Sequence, residues 1–234
     1  MTRIKGFLTT ADYLPYEEYC RLLRCLHNDR LYQWEAYCKI SFCTAFRVSD
    51  VRSTHWKDIL GKSEFIKIEQ KTQKTRIVKI NDDIRENIQQ MYRLLGQPDP
   101  KLSVICNPRT KEPYSREHIN RKLKWFLWKY KLRIKRFSTH SFRKTFGRFV
   151  YESLGRTSDA LVRLSEILKH KNIETTRRYI GLEQDDIDEV FDLLSFKPST
   201  KSQKLSKCYE NEILSIQPMQ IKPGGHALGR TGDD

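Results

Sequence analysis

The chain has 234 residues, 38% of them hydrophobic, and carries 44 Lys and Arg against 29 Asp and Glu, for a formal charge of +15. This is apolar content enough for one domain with its own core, or a domain plus a tail. The charge points to a polyanionic partner, nucleic acid first and an anionic membrane surface second. No run of about 18 apolar residues occurs, which excludes a membrane-spanning helix. The N-terminus lacks the pattern of a cleaved leader, so the expectation is a soluble, intracellular protein.

In chain order, Thr9 or Thr10 caps a helix or pair of turns running to about Arg24, with Leu14, Tyr19, Leu22, Leu23 and Leu26 as its apolar positions. Asn28 and Asp29 break it. Residues 31–46 form a second, strongly apolar helix that should lie at the centre of the core, with Arg47 at its end. Between 64 and 80 the period shortens to that of strands: Phe65, Ile66, Ile68 and Ile77, Val78, Ile80 flank a polar stretch, which reads as a β-hairpin with a basic tip. Helical periodicity returns over 83–95 and ends at Gly96. Val104–Cys106 reads as a short third strand, and Ser115 caps a long basic helix to about Tyr130. Further helices are expected over 140–154, 161–169, 173–180 and 186–194. The fold class is therefore mainly α with a small antiparallel β-sheet (α+β). Residues 1–195 make the domain, and 196–234, rich in Lys, Ser, Gln, Pro and Gly, a disordered tail.

Six cysteines, Cys20, Cys25, Cys38, Cys43, Cys106 and Cys208, include two C-x4-C pairs on helices. Positions five apart do not share a helical face well, so buried free thiols are favoured over a zinc site and no metal is expected.

The chemistry concentrates after Thr139. In His140-Ser141-Phe142-Arg143 the histidine and arginine lie three apart, on one face of a helix. His170 then precedes Tyr179 by nine residues, with Thr175 and Thr176 between them suited to a helix start or turn. H-x-x-R followed by a His and a Tyr resembles the signature of the tyrosine recombinase (phage integrase) family. Ala45-Phe46-Arg47-Val48-Ser49-Asp50 resembles that family's first arginine motif, and residues 71–78 its hairpin lysine segment. Five residue types in this order, from Arg47 to Tyr179, rarely arise together. Three positions depart from the pattern: Ala45 and Lys169 replace glycines, and Lys79 a proline.

The resemblance, which covers about residues 9–194, implies a metal- and cofactor-free enzyme that cuts and rejoins double-stranded DNA through a 3′-phosphotyrosine. It places Tyr179 as nucleophile and Arg47, Arg143 and His170 on the phosphate. His140 would be the base and Lys71, with Lys74 as the alternate, the acid for the leaving oxygen. It further implies a homotetramer on DNA built from monomers in solution, accessory DNA-bending proteins, and a nucleoid-associated place in the cytoplasm. The family's N-terminal DNA-binding domain has no counterpart in this sequence, which leaves a fragment of a longer integrase or a short invertase-type enzyme. A non-catalytic DNA-binding regulator and a type IB topoisomerase-like enzyme are the other classes.

Lys74, Arg76, Arg116, Arg121, Lys122 and Lys124 are the expected DNA contacts, made to phosphates rather than bases. On the basic helix each charge has a plainer reading as part of a solvated face, and Trp125, Phe126 and Trp128 read as core rather than base-stacking groups. Taken singly, Tyr179 would be packing, His140 a cap and Arg47 a cation at a helix end. The acidic stretch at 183–189 leads into an amphipathic helix that docks either on a neighbouring protomer or on its own core.

Overall fold

The computed structural model describes residues 11–182 together with 188, 191 and 192. The expected cap at Thr9 or Thr10 and the tail from 196 lie outside the described residues, as does most of the expected helix at 186–194. The chain divides into two units, Met1–Asp185 and Asp186–Asp234, and the elements below belong to the first.

Helix α1, Tyr16–Asn28, begins on Pro15, whose missing N–H costs nothing at a helix start. It buries Leu22 and Leu26. Helix α2, Tyr32–Thr44, meets the expectation of a central helix, being buried on most of its surface and touching α1 as well as the later α5 and α7. The short α3, Val48–Arg52, and α4, Trp56–Ile59, follow. Strands β1, Glu64–Ile68, and β2, Thr75–Lys79, pair antiparallel with Phe65 opposite Val78 and Lys67 opposite Arg76. Then come α5, Asp82–Leu94, capped by Asn81, and α6, Arg116–Lys129, capped as expected by Ser115. Helix α7, Thr139–Ser153, is capped by Ser138, and α8, Ser158–Leu168, by Thr157. Finally α9, Ile173–Ile180, starts on Asn172, whose side chain accepts from the Thr175 N–H at 2.9 Å.

The larger core runs through α1, α2, α5, α6 and α7 around Tyr37, Ile40, Phe126 and Phe142, all at most 1% exposed. A second cluster joins Leu161 and Leu164 of α8 to Ile180, with Tyr179 packed against it, so the end of α9 is held by apolar contact. Gly147 of α7 permits this. A Cβ there would sit 2.7 Å from Ile180 Cγ2, a stiff branched methyl.

Two sequence expectations are corrected. Val104–Cys106 is not a strand: Ser103 and Cys106 make only isolated bridges, to His55 and Pro113. The Val104 N–H instead goes to the Thr54 carbonyl, and Pro108 and Pro113 lack the donors a ladder needs. On α6, Phe126 is core but Trp125 and Trp128 are 38% and 78% exposed, because they lie on the outer face of a helix that buries Ile119, Leu123 and Phe126. The Lys122 and Lys129 ammonium groups sit 3.8 and 4.8 Å from the Trp125 ring.

Ala45 and Lys169, where glycines were expected, are both left-handed, with φ of 48° and 52°, and end α2 and α8. A Cβ in that region costs roughly 1 kcal/mol. Lys169→Gly is therefore expected to raise the melting temperature by about 2–4 °C, the shift worth about 1 kcal/mol in a domain of this size. A melting curve unchanged or lowered would refute it.

Candidate active site

Arg143 is 3% exposed. Its guanidinium donates to the Ala45 carbonyl, and to the Leu168 carbonyl at 2.6 Å. Both acceptors lie at helix C-termini, where carbonyls are free and the dipole is negative. The left-handed residues thus have a role: each turns the chain so that a carbonyl at the end of α2 or α8 is offered to the same arginine.

Arg76, read from the sequence as a DNA contact, is instead buried at 6% exposure. It donates to the Thr44 carbonyl at 2.7 Å and the Ala45 carbonyl at 3.3 Å, and lies 4.9 Å from the Phe46 ring. Burial and the neighbouring Arg143 charge lower its pKa to about 10. It braces the site rather than facing solvent.

Arg47 stands at the start of α3, its side chain 20% exposed, with Nη1 2.7 Å from Glu69 Oε2. Glu69 is buried, and the Arg47 charge and a hydrogen bond from Thr72 outweigh that burial to hold its carboxyl below the usual range. Asp50 is also fully buried, and its Oδ1 accepts from the Gln70 N–H at 2.8 Å. Two acids thus fasten the turn at 69–74 to the arginine motif. The sequence reading gave Glu69 no role.

The Tyr179 hydroxyl is buried without a hydrogen-bond partner among the described residues. Desolvation raises its pKa, against the pull of Arg143 and Arg47. A contact with Arg143 contributes to that pull but falls short of hydrogen-bond geometry. The His170 ring stands edge-on to the tyrosine ring at 5.0 Å, with Nδ1 3.0 Å from Thr176 Oγ1. Lys144 lies 5.3 Å from the tyrosine ring. Burial, then Arg143 and Arg47, depress the His170 pKa to about 4. His140, on the first turn of α7, is exposed by surface area yet partly desolvated, and burial, Arg143, Lys144 and Arg47 lower its pKa as well.

The structure therefore gathers Arg47, Arg143, His140, His170 and Tyr179. Lys71 and Lys74 stand exposed on the hairpin turn, and no hydrogen bond or ion pair joins either to that group. Arg116, Arg121 and Lys124 are exposed on α6, and Lys122 is half-buried there. Among the described residues no cluster of three His, Cys, Asp or Glu could hold a metal, and five cysteines are free thiols. No helix among them is long and apolar enough to cross a membrane.

Depressed histidine pKa values have a consequence for stability. Between pH 6.5 and about 4 the unfolded chain protonates His170 while the folded chain does not, so stability is full above 6.5 and falls as the pH drops through this window. His170→Gln is expected to lose less stability over that interval than the wild type, as measured by denaturant titration at each pH. Parallel curves for the two proteins would overturn it.

The model of the phage integrase family matches residues 12–185. The chain is 30% identical over 142 residues to a "Probable integrase/recombinase YoeC" of Bacillus subtilis (strain 168), covering 61% of this chain and 74% of that protein. Among solved structures, the XerA recombinase superposes with a TM-score of 0.60 at 21% identity, over 77% of this chain and 64% of that one. XerH bound to a palindromic difH substrate in a post-cleavage complex gives 0.59 at 17% identity, over 77% and 52%. A λ integrase(75–356) dimer bound to a COC′ core site gives 0.56 at 14%, over 77% and 61%. The chain thus spans less than two thirds of these recombinases, and the likeness to them is one of fold. With its match extending from residue 12 to 185, the chain belongs to the phage integrase family of tyrosine recombinases, which break and rejoin DNA.

Proposed function

We propose that this chain cleaves and rejoins double-stranded DNA with Tyr179 as nucleophile. The observation that carries the reading is a buried phenolic oxygen set among two arginines and an imidazole, a pocket whose permanent charges are cationic. A scissile phosphate entering it would place its non-bridging oxygens on Arg47 and Arg143, whose planar forks suit them, with His170 donating a further hydrogen bond. The Tyr179 oxygen attacks phosphorus and its proton passes to an imidazole, His140 being the candidate base. The bond from phosphorus to the 5′-oxygen breaks, and that oxygen takes a proton from Lys71. A 3′-phosphotyrosine and a free 5′-hydroxyl result, and the reverse attack reseals a strand with no ATP.

The exposed Lys71 side chain reaches inward to the leaving oxygen from the turn that Glu69 and Asp50 fasten. Lys74, Arg116, Arg121, Lys122 and Lys124 supply phosphate contacts, so log affinity falls with log salt by about 0.9 per phosphate neutralised. XerH in its palindromic difH complex and the λ integrase dimer are bound to DNA. For this chain the proposal is a homotetramer on two DNA segments, formed from monomers, with DNA-bending accessory proteins.

The test is a nicked suicide duplex bearing repeats taken from the DNA beside the gene. A covalent adduct mapped to Tyr179, followed by joined recombinant strands, supports the reading. Relaxed plasmid without recombinants would make the chain topoisomerase-like, and binding without adduct would make it a regulator. Inverted repeats as substrate favour inversion, attachment-type repeats integration.

A further inference from the structure

Glu69 is 0% exposed, and its two carboxylate oxygens divide their work. Oε1 faces Arg76 Nη1 at a long 3.5 Å, and Arg76 is already held by two backbone carbonyls. The short bonds are both on Oε2, which accepts from Arg47 Nη1 at 2.7 Å and from the Thr72 hydroxyl at 2.9 Å. One oxygen therefore touches the arginine proposed to clamp the phosphate and the residue adjoining Lys71. Were Glu69 present only to neutralise Arg76, its closest contacts would be there. Being fully enclosed, the carboxylate is a fixed point, and the Arg47 nitrogens it leaves unbonded remain free for an oxyanion.

We propose that Glu69 is a positioning residue that couples the phosphate clamp to the general-acid turn, through the oxygen shared by Arg47 and Thr72. Arg47 in its clamping orientation and Thr72 in its docked orientation are satisfied by the same acceptor. Lys71, one residue from Thr72, is thus brought to the leaving oxygen from a turn referenced to the clamp. The inference rests on the proposed roles of Arg47 and Lys71.

The test compares ordinary DNA with a duplex whose scissile 5′-bridging oxygen is sulfur. There the phosphorus–sulfur bond breaks to release a thiolate, which needs no proton from Lys71. Thr72→Val should slow single-turnover adduct formation on ordinary DNA about tenfold, the worth of one charge-assisted hydrogen bond, and recover most of the rate on the sulfur duplex. Thr72→Ser, which keeps the hydroxyl, should retain the wild-type rate on both. Glu69→Gln should be slow on both, since it also frees Arg47. If Glu69→Gln fails to fold, the two Thr72 variants carry the test alone. Equal slowing of Thr72→Val on both substrates, or none on either, overturns the coupling. If Lys71→Ala is rescued by sulfur while Thr72→Val is not, the reading of Lys71 stands and the coupling falls. If sulfur does not rescue Lys71→Ala, the lysine assignment fails and takes the coupling with it.

Discussion

Tyr179→Phe is expected to abolish covalent adduct formation on a suicide duplex, a loss of at least about 10⁴-fold of the kind seen when a nucleophile is removed. DNA binding should survive. The stability expectation is less usual: the hydroxyl is buried with no partner among the described residues, so deleting it removes an unmet desolvation cost. The variant should melt within about 1 kcal/mol of the wild type, or above it. A buried hydroxyl that adds nothing to the stability of the fold is what the proposed nucleophile should be. Adduct persisting in the variant, or appearing on another tyrosine, would remove Tyr179 from its proposed role.

Arg143→Lys should have the second largest effect, because it keeps the charge and removes the fork. Two guanidinium nitrogens are committed to the Ala45 and Leu168 carbonyls, and an ammonium on a flexible stem cannot span both helix ends while also meeting a phosphate. Adduct formation should slow by about 10²–10³-fold, the cost of one preorganised donor to a developing oxyanion. A buried carbonyl left unsatisfied should lower stability by about 1–3 kcal/mol. Arg47→Lys is the comparison. Arg47 is less buried and tied to a carboxylate that accepts an ammonium equally well, so it should lose rate with a smaller stability change. Wild-type rates in Arg143→Lys would show that the fork does not hold the phosphate.

Much of this was legible before the fold was known. The 3.6-residue periodicities located α2, α5, α6 and α9 to within a residue or two, and Ser115 announced the start of α6 because an N-cap is a local interaction. The spacing of His140 and Arg143 placed them on one turn of α7. The hairpin was legible as a hairpin but not by face. Apolar residues lie on both sides of it, Ile66, Ile68 and Ile77 being about 60% exposed, so alternation did not say which way Arg76 points. Counting by twos from Phe65 reaches Lys67 and Glu69, and from Ile80 reaches Val78 and Arg76, the inward set. An acid and an arginine on that set was the available signal for a buried pair. Trp125 and Trp128 were misread because size and hydrophobicity do not fix a face, and on α6 the apolar stripe was already filled by Ile119, Leu123 and Phe126. That carbonyls from two different helix ends would hold Arg143 is a long-range fact, and no local pattern carries it.

The division of the four tryptophans has a practical corollary. Trp34 and Trp56 are sealed at 7% and 2% exposure, whereas Trp128 projects into water from the basic helix. A dissolved quencher should therefore darken mainly the emission of α6, leaving the other pair bright. The fluorophore already built into that helix can then report, without any attached dye, when a duplex covers this side of the molecule.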